Sequence, residues 1–134
     1  MDLEEFEQLV AEAVELLPER IRQKLDNVAI TVEEGESPNN SLFGLYHGVS
    51  QLQRGSGYGV GGVLPDKITI YKGTIERFAL QQAQDLTADN QSNNLKAIRR
   101  LVRRVVWHEI GHHFGFGEAE IRKLEQKWLA EGKV

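Results

Sequence analysis

Residues 107–118 read Trp107-His108-Glu109-Ile110-Gly111-His112-His113-Phe114-Gly115-Phe116-Gly117-Glu118. Three of the four histidines of the chain lie within six positions here; the fourth is His47. Upstream, Ile98, Leu101, Val102 and Val105 recur at helical spacing. The stretch is therefore read as the end of a long helix. Ser92 to Asn94 are good capping residues for its start, and Gly115 stops it just after Phe114.

On a helix advancing about 100° per residue, His108 and His112 stand about 40° apart and one turn along. Two imidazoles so placed can aim nitrogens at one metal ion. Glu109 is turned about 100° from His108, close to the same point but out of line with the pair. That suits a carboxylate that handles a water molecule rather than one that ligates. A third ligand cannot come from the next helical turn without crowding, so the chain must leave the helix and double back. Gly115 can adopt the positive φ that allows this, and Glu118, six residues after His112, is the candidate third ligand. Two neutral imidazoles, a carboxylate and a water make an open catalytic zinc site. Zn²⁺ is the expected cofactor. His113 points about 100° away from His112 and is assigned to the second shell or the core.

Working outward, Leu101, Val105, Ile98 and Val102 continue the metal face into the core. Arg99, Arg100, Arg103 and Arg104 are expected on the opposite arc, either solvated or paired with the acidic N-terminal helix. Residues 1–36 carry eleven acids and three bases, whereas residues 95–105 carry five bases and no acid. The whole chain has 134 residues, 16 Lys and Arg, 20 Asp and Glu, and a net charge of −4. That balance offers nucleic acid no global attraction. With no cysteine, disulfide frameworks, thiolate metal sites and cysteine nucleophiles are excluded. No apolar run approaches a membrane span. The start, Met1-Asp2-Leu3-Glu4-Glu5, lacks the basic and apolar parts of a signal peptide, so a cytoplasmic location is expected.

The remaining elements alternate in type. Helical spacing of Phe6, Leu9, Val10, Ala13, Val14 and Leu17 marks a helix over 2–17, broken at Pro18, and a shorter one follows over 19–26. Val28–Glu34 alternates as a strand, Leu42–Tyr46 is a short extended piece, and Lys67–Lys72 is a second clear strand. Thr74–Gln84 and residues 118–130 read as helices. Gly55–Gly62, with five glycines, reads as a loop; its Gly57, Gly59 and Gly62 spacing lacks the preceding strand and following helix of a dinucleotide site. The sum is an α+β fold over residues 1–134 as a single domain, with a small mixed sheet packed on an active-site helix and helices flanking at both termini.

The motif resembles that of the zincin-like minimal metallopeptidases of bacteria, whose members carry H-E-x-x-H-H-x-G-x-x-Asp/Glu. Two upstream segments are also similar to that family: Leu42-Phe43-Gly44-Leu45-Tyr46-His47-Gly48-Val49 and Gly62-Val63-Leu64-Pro65-Asp66-Lys67-Ile68-Thr69-Ile70-Tyr71. The resemblance covers about residues 28–118. It implies His108, His112 and Glu118 as zinc ligands, Glu109 as the catalytic acid/base, and a peptide or unfolded protein as substrate. It also implies a strand running along the cleft above the helix, for which Lys67–Lys72 is the candidate. Tyr71, Tyr58 and His47 are candidates for contacting substrate or the oxyanion from the rim. The metzincins, a related group, have a histidine where this chain has Glu118 and a methionine turn that it lacks, since Met1 is its only methionine. Glu125 and Glu131 are alternative third ligands. Two other functions stay open: a metal-dependent ribonuclease sharing the H-x3-H-x5 ligand spacing, and a binding module that uses metal only for stability.

Overall fold

The computed structural model describes residues 1–23, 25, 28–38, 42–48, 66–83 and 90–131. Tyr58, the glycine loop and much of the polar connection before the long helix lie outside these residues.

Helix α1 (Leu3–Glu15) starts where the Asp2 side chain accepts the Glu5 amide at 2.8 Å. This satisfies one of the amides that a helix start leaves without a partner. α1 buries Phe6, Leu9, Val10 and Ala13, the stripe expected from spacing. Pro18 interrupts the run, and α2 is only Glu19–Gln23. Strands β1 (Val28–Glu33), β2 (Gly44–His47) and β3 (Asp66–Tyr71) form a mixed sheet in the order β1-β3-β2. β1 runs parallel to β3, with Val28 opposite Asp66, and β2 runs antiparallel, with Tyr46 opposite Ile68. Helix α3 (Lys72–Ala83) follows β3 directly. The long helix α4 spans Asn90–His113, beginning two residues before the expected Ser92. Helix α5 (Glu118–Ala130) closes the described chain.

The observed fold is α+β with five helices and one small mixed sheet among the described residues. No helix there is long and apolar enough to cross a membrane. β3 is central: Ile68, Thr69 and Ile70 are all buried. That corrects the expectation for the cleft strand. Lys67–Lys72 is flanked by β1 and β2, so it cannot form a cleft edge, and the strand on the cleft is β2. A strand covered on both faces and hydrogen-bonded on both sides shows little alternation, which is the pattern of a sheet interior.

α4 lies against the sheet and packs on α1, contributing Val102, Val106 and Ile110 to the core that Phe6, Leu9, Val10 and Ala13 share. Trp107 donates its indole N–H to the Ala13 carbonyl at 2.9 Å and meets Trp128 of α5 edge-on, with ring centroids 3.9 Å apart. Gly111 permits the close crossing of α5. A Cβ at this position would stand 2.8 Å from the Ile121 side chain, so any larger residue would push the helices apart.

Candidate metal centre

The last turn of α4 ends in a Schellman motif. Gly115 has φ 85°, its amide donates to the His112 carbonyl at 2.9 Å, and the Phe116 amide donates to the Gly111 carbonyl at 3.0 Å. The turn reverses the chain, and α5 starts at Glu118 with no side-chain cap on Gly117. Glu118 thus enters at the positive end of α5 and faces back across α4.

Three donor atoms meet there. His112 Nε2 and His108 Nε2 are 3.2 Å apart, and Glu118 Oε1 lies 3.1 Å from the first and 3.3 Å from the second. Donors sharing one zinc ion at bonds of ~2.0–2.2 Å in tetrahedral geometry stand ~3.3–3.5 Å apart. The triangle is within a few tenths of an ångström of that separation, so the donor set fits such an ion without rearranging. The imidazoles are half-buried and the Glu118 side chain is 62% exposed, which leaves one side of the triangle open.

Glu109 offers a carboxylate oxygen that clusters with the two imidazoles, all within 4.8 Å of one another. Its side chain is buried, and burial pushes its carboxyl above the ordinary carboxylate range. The neighbouring His108 and His112 and a backbone hydrogen bond from Tyr46 pull in the opposite direction, and Glu118 adds to the rise. Strand β2 lies directly on this residue. A Cβ on Gly44 would come within 3.2 Å of Glu109 Cγ and 3.0 Å of Val105 Cγ1, so glycine there lets the strand approach.

Glu125 does not join the triangle. Its Oε1 is 3.4 Å from His108 Nδ1, on the far side of the ring, and its Oε2 is 4.0 Å from an Arg104 guanidinium nitrogen. A carboxylate in this position orients an imidazole and fixes its tautomer. Arg104 therefore belongs to the metal face, not the opposite arc as expected. It precedes His108 by four residues, and such pairs are neighbours on a helix. Arg99 does pair with α1, its Nε standing 3.8 Å from Glu12 Oε2.

The triangle sits in a cleft of about 650 Å³. One end is apolar, lined by Leu42, Phe43, Phe78, Leu101 and Val105, and Arg104 and Arg122 stand on the rim. Of the rim candidates, His47 is exposed at the end of β2, opposite Lys67, and Tyr71 is half-buried at the end of β3. Neither lines the cleft. His113 is fully buried and binds Asp66, not the other two histidines. Sequence reasoning missed Tyr46, because it acts through a backbone amide that any residue type would supply. Asp66 appears in the sequence only within a segment similar to the family, with no role of its own. Glu125, a candidate third ligand in the sequence, does reach His108, but at Nδ1.

No curated protein matches the chain. A protein-family model described as zincin-like metallopeptidase matches residues 25–128. That span contains the sheet, the cleft strand, the imidazole pair and Glu118, and a divalent metal is what this family implies. The chain belongs to the zincin-like metallopeptidase family.

Proposed function

We propose that the protein is a zinc-dependent peptidase in which His108, His112 and Glu118 hold the metal and Glu109 moves the proton. The observation that carries this reading is the triangle of donor atoms with the buried Glu109 beside it. When bound, zinc supplies Lewis-acid polarisation of a carbonyl and a water that ionises near neutral pH. Glu109, its proton affinity raised by burial, takes a proton at its carboxylate and returns it to the leaving amine. Glu125 steadies His108 through Nδ1.

The substrate is an extended peptide or an unfolded protein. In the β2–β3 ladder the Tyr71 amide donates to the Phe43 carbonyl at 2.9 Å. Antiparallel pairs alternate, so Gly44, which lines the cleft, turns its backbone groups away from β3. A peptide laid along this edge gains main-chain hydrogen bonds that depend little on its sequence. Leu42 and Phe78, each 37% exposed, are then covered by an apolar substrate side chain.

The test is zinc-loaded protein incubated with unfolded casein and with a mixed peptide library, products being identified by mass spectrometry. Cleavage beside large apolar residues is expected. The Glu109→Gln variant should keep its zinc and lose roughly 10²–10⁴-fold in rate. Undiminished hydrolysis in that variant overturns the mechanism. Cleavage of a structured RNA with all peptides left intact overturns the substrate class.

A further inference from the structure

Asp66 opens β3 and is 1% exposed, and His113, the last residue of α4, is fully buried. Burying a carboxylate costs free energy unless donors compensate it. Two donors reach a single oxygen here. The Tyr46 hydroxyl donates to Asp66 Oδ2 at 2.7 Å, and His113 Nδ1–H donates to the same atom at 2.7 Å. The Tyr46 and His113 rings also meet edge-on, with centroids 6.0 Å apart. The chain leaving β2 closes over the carboxylate at Gly48, whose φ is 150° and where any Cβ would collide with Asp66. The cleft strand, its exit and the end of the active-site helix therefore converge on one carboxylate. None of Tyr46, Asp66 and His113 lines the cleft.

Tyr46 links this buried group to the chemistry. Its side chain reaches inward to Asp66, and the alternation of the β2–β3 ladder turns its backbone amide away from β3, on the strand whose Gly44 lies against Glu109. The position of that amide depends on where β2 sits against α4. The Asp66 carboxylate ties those two elements together one residue beyond His112, about 1.5 Å along the helix axis. We propose that Asp66 is a positioning residue: through Tyr46 and His113 it locks β2 onto α4 and so holds the Tyr46 amide on Glu109. This rests on the reading of Glu109 as the group that moves the proton. It makes no demand on the metal ligands, all of which lie on α4 and α5.

The decisive variants are Tyr46→Phe, which deletes only a hydroxyl, and Asp66→Asn. Three quantities are measured on the full chain: zinc affinity by competition with a chromophoric chelator, kcat and KM on quenched unfolded casein, and hydrogen exchange of the Tyr46 amide by NMR. In Tyr46→Phe, zinc affinity should stay within about threefold while kcat falls about tenfold with KM nearly constant. The Tyr46 amide should exchange at least about tenfold faster, with the α4 core amides of Val102 and Val106 unchanged. Asp66→Asn should do the same more strongly. A loss of zinc affinity in step with kcat overturns the proposal, as does an unchanged Tyr46 amide. If the wild-type protein cleaves no peptide, the peptidase reading fails by itself, and the amide and zinc measurements still decide the role of Asp66. Should Asp66→Asn not fold, Tyr46→Phe carries the test.

Discussion

The two walls of the cleft are built in opposite ways. The metal wall is contiguous in sequence: His108, His112 and Glu118 come from one helix end, one turn and the next helix start, and their side chains are partly open to solvent. The strand wall is assembled from remote pieces. Tyr46 and Asp66 lie far before α4 in the chain, and the contact between β2 and Glu109 passes through the interior. One wall carries the donors and the other sets the surroundings of Glu109. Metal affinity and turnover should thus be separable, each answering to changes in its own wall.

The largest expected effect is on the metal wall. Glu118→Ala removes one of three donors and should weaken zinc binding by more than about 100-fold, beyond what loss of a supporting contact does. Glu125→Gln leaves the triangle intact and should cost only about 10-fold in affinity. Chelator competition on both variants checks the order, and a reversed order would make Glu125 the third ligand. Gly111→Val follows. Its side chain would meet Ile121, and overpacking of this kind costs roughly 1–3 kcal/mol. Thermal melts with and without zinc should show lowered stability in both, with the zinc-dependent increment reduced because α5 carries Glu118 away.

On the strand wall, Gly44→Ala places a methyl group 3.2 Å from Glu109 Cγ and 3.0 Å from Val105 Cγ1. The strand must shift, and kcat should fall about tenfold while zinc affinity holds. Equal loss of both would break the separation between the walls.

The smallest effect concerns pH. The folded-state carboxyl of Glu109 is raised above its ordinary value of 4.5, chiefly by burial. The native state then holds this proton more tightly than the unfolded state. Its stabilising contribution is complete below 4.5 and is lost as pH rises through the higher folded value. Metal-free Glu109→Gln should therefore gain on metal-free wild type as pH is raised from 4.5, read as the difference in Tm between the two. A difference that stays flat with pH would show that Glu109 ionises in the native state without penalty.

The contrast also explains what was legible in the sequence. His108, Glu109, His112, Gly115 and Glu118 could be placed from spacing alone, because helix geometry and one glycine turn convert positions directly into neighbours. Arg104 was open to the same argument, being four residues from His108. Strand order follows no such rule. Ile68 and Ile70 marked β3 as a strand, but only the pairing of β3 with both β1 and β2 makes it central and leaves β2 on the cleft. The lining role of Gly44 and the amide of Tyr46 depend on register, which no local pattern encodes. Asp66 beside Pro65 has the composition of a turn, and its burial is settled by Tyr46 and His113, which arrive from other elements.

β2 is four residues long and pairs with a single strand among the described residues. Short edge pieces of this kind are the first to come away in native-state fluctuations, at a fraction of the global unfolding free energy. Such an opening would detach the Tyr46 amide from Glu109 and leave the α4–α5 donors together. Under the proposed mechanism the ensemble then contains molecules that retain zinc but have lost the working arrangement, so zinc stoichiometry measured on a preparation would set an upper bound on its competent fraction. Titration of active sites with a slow-dissociating inhibitor would report the smaller number.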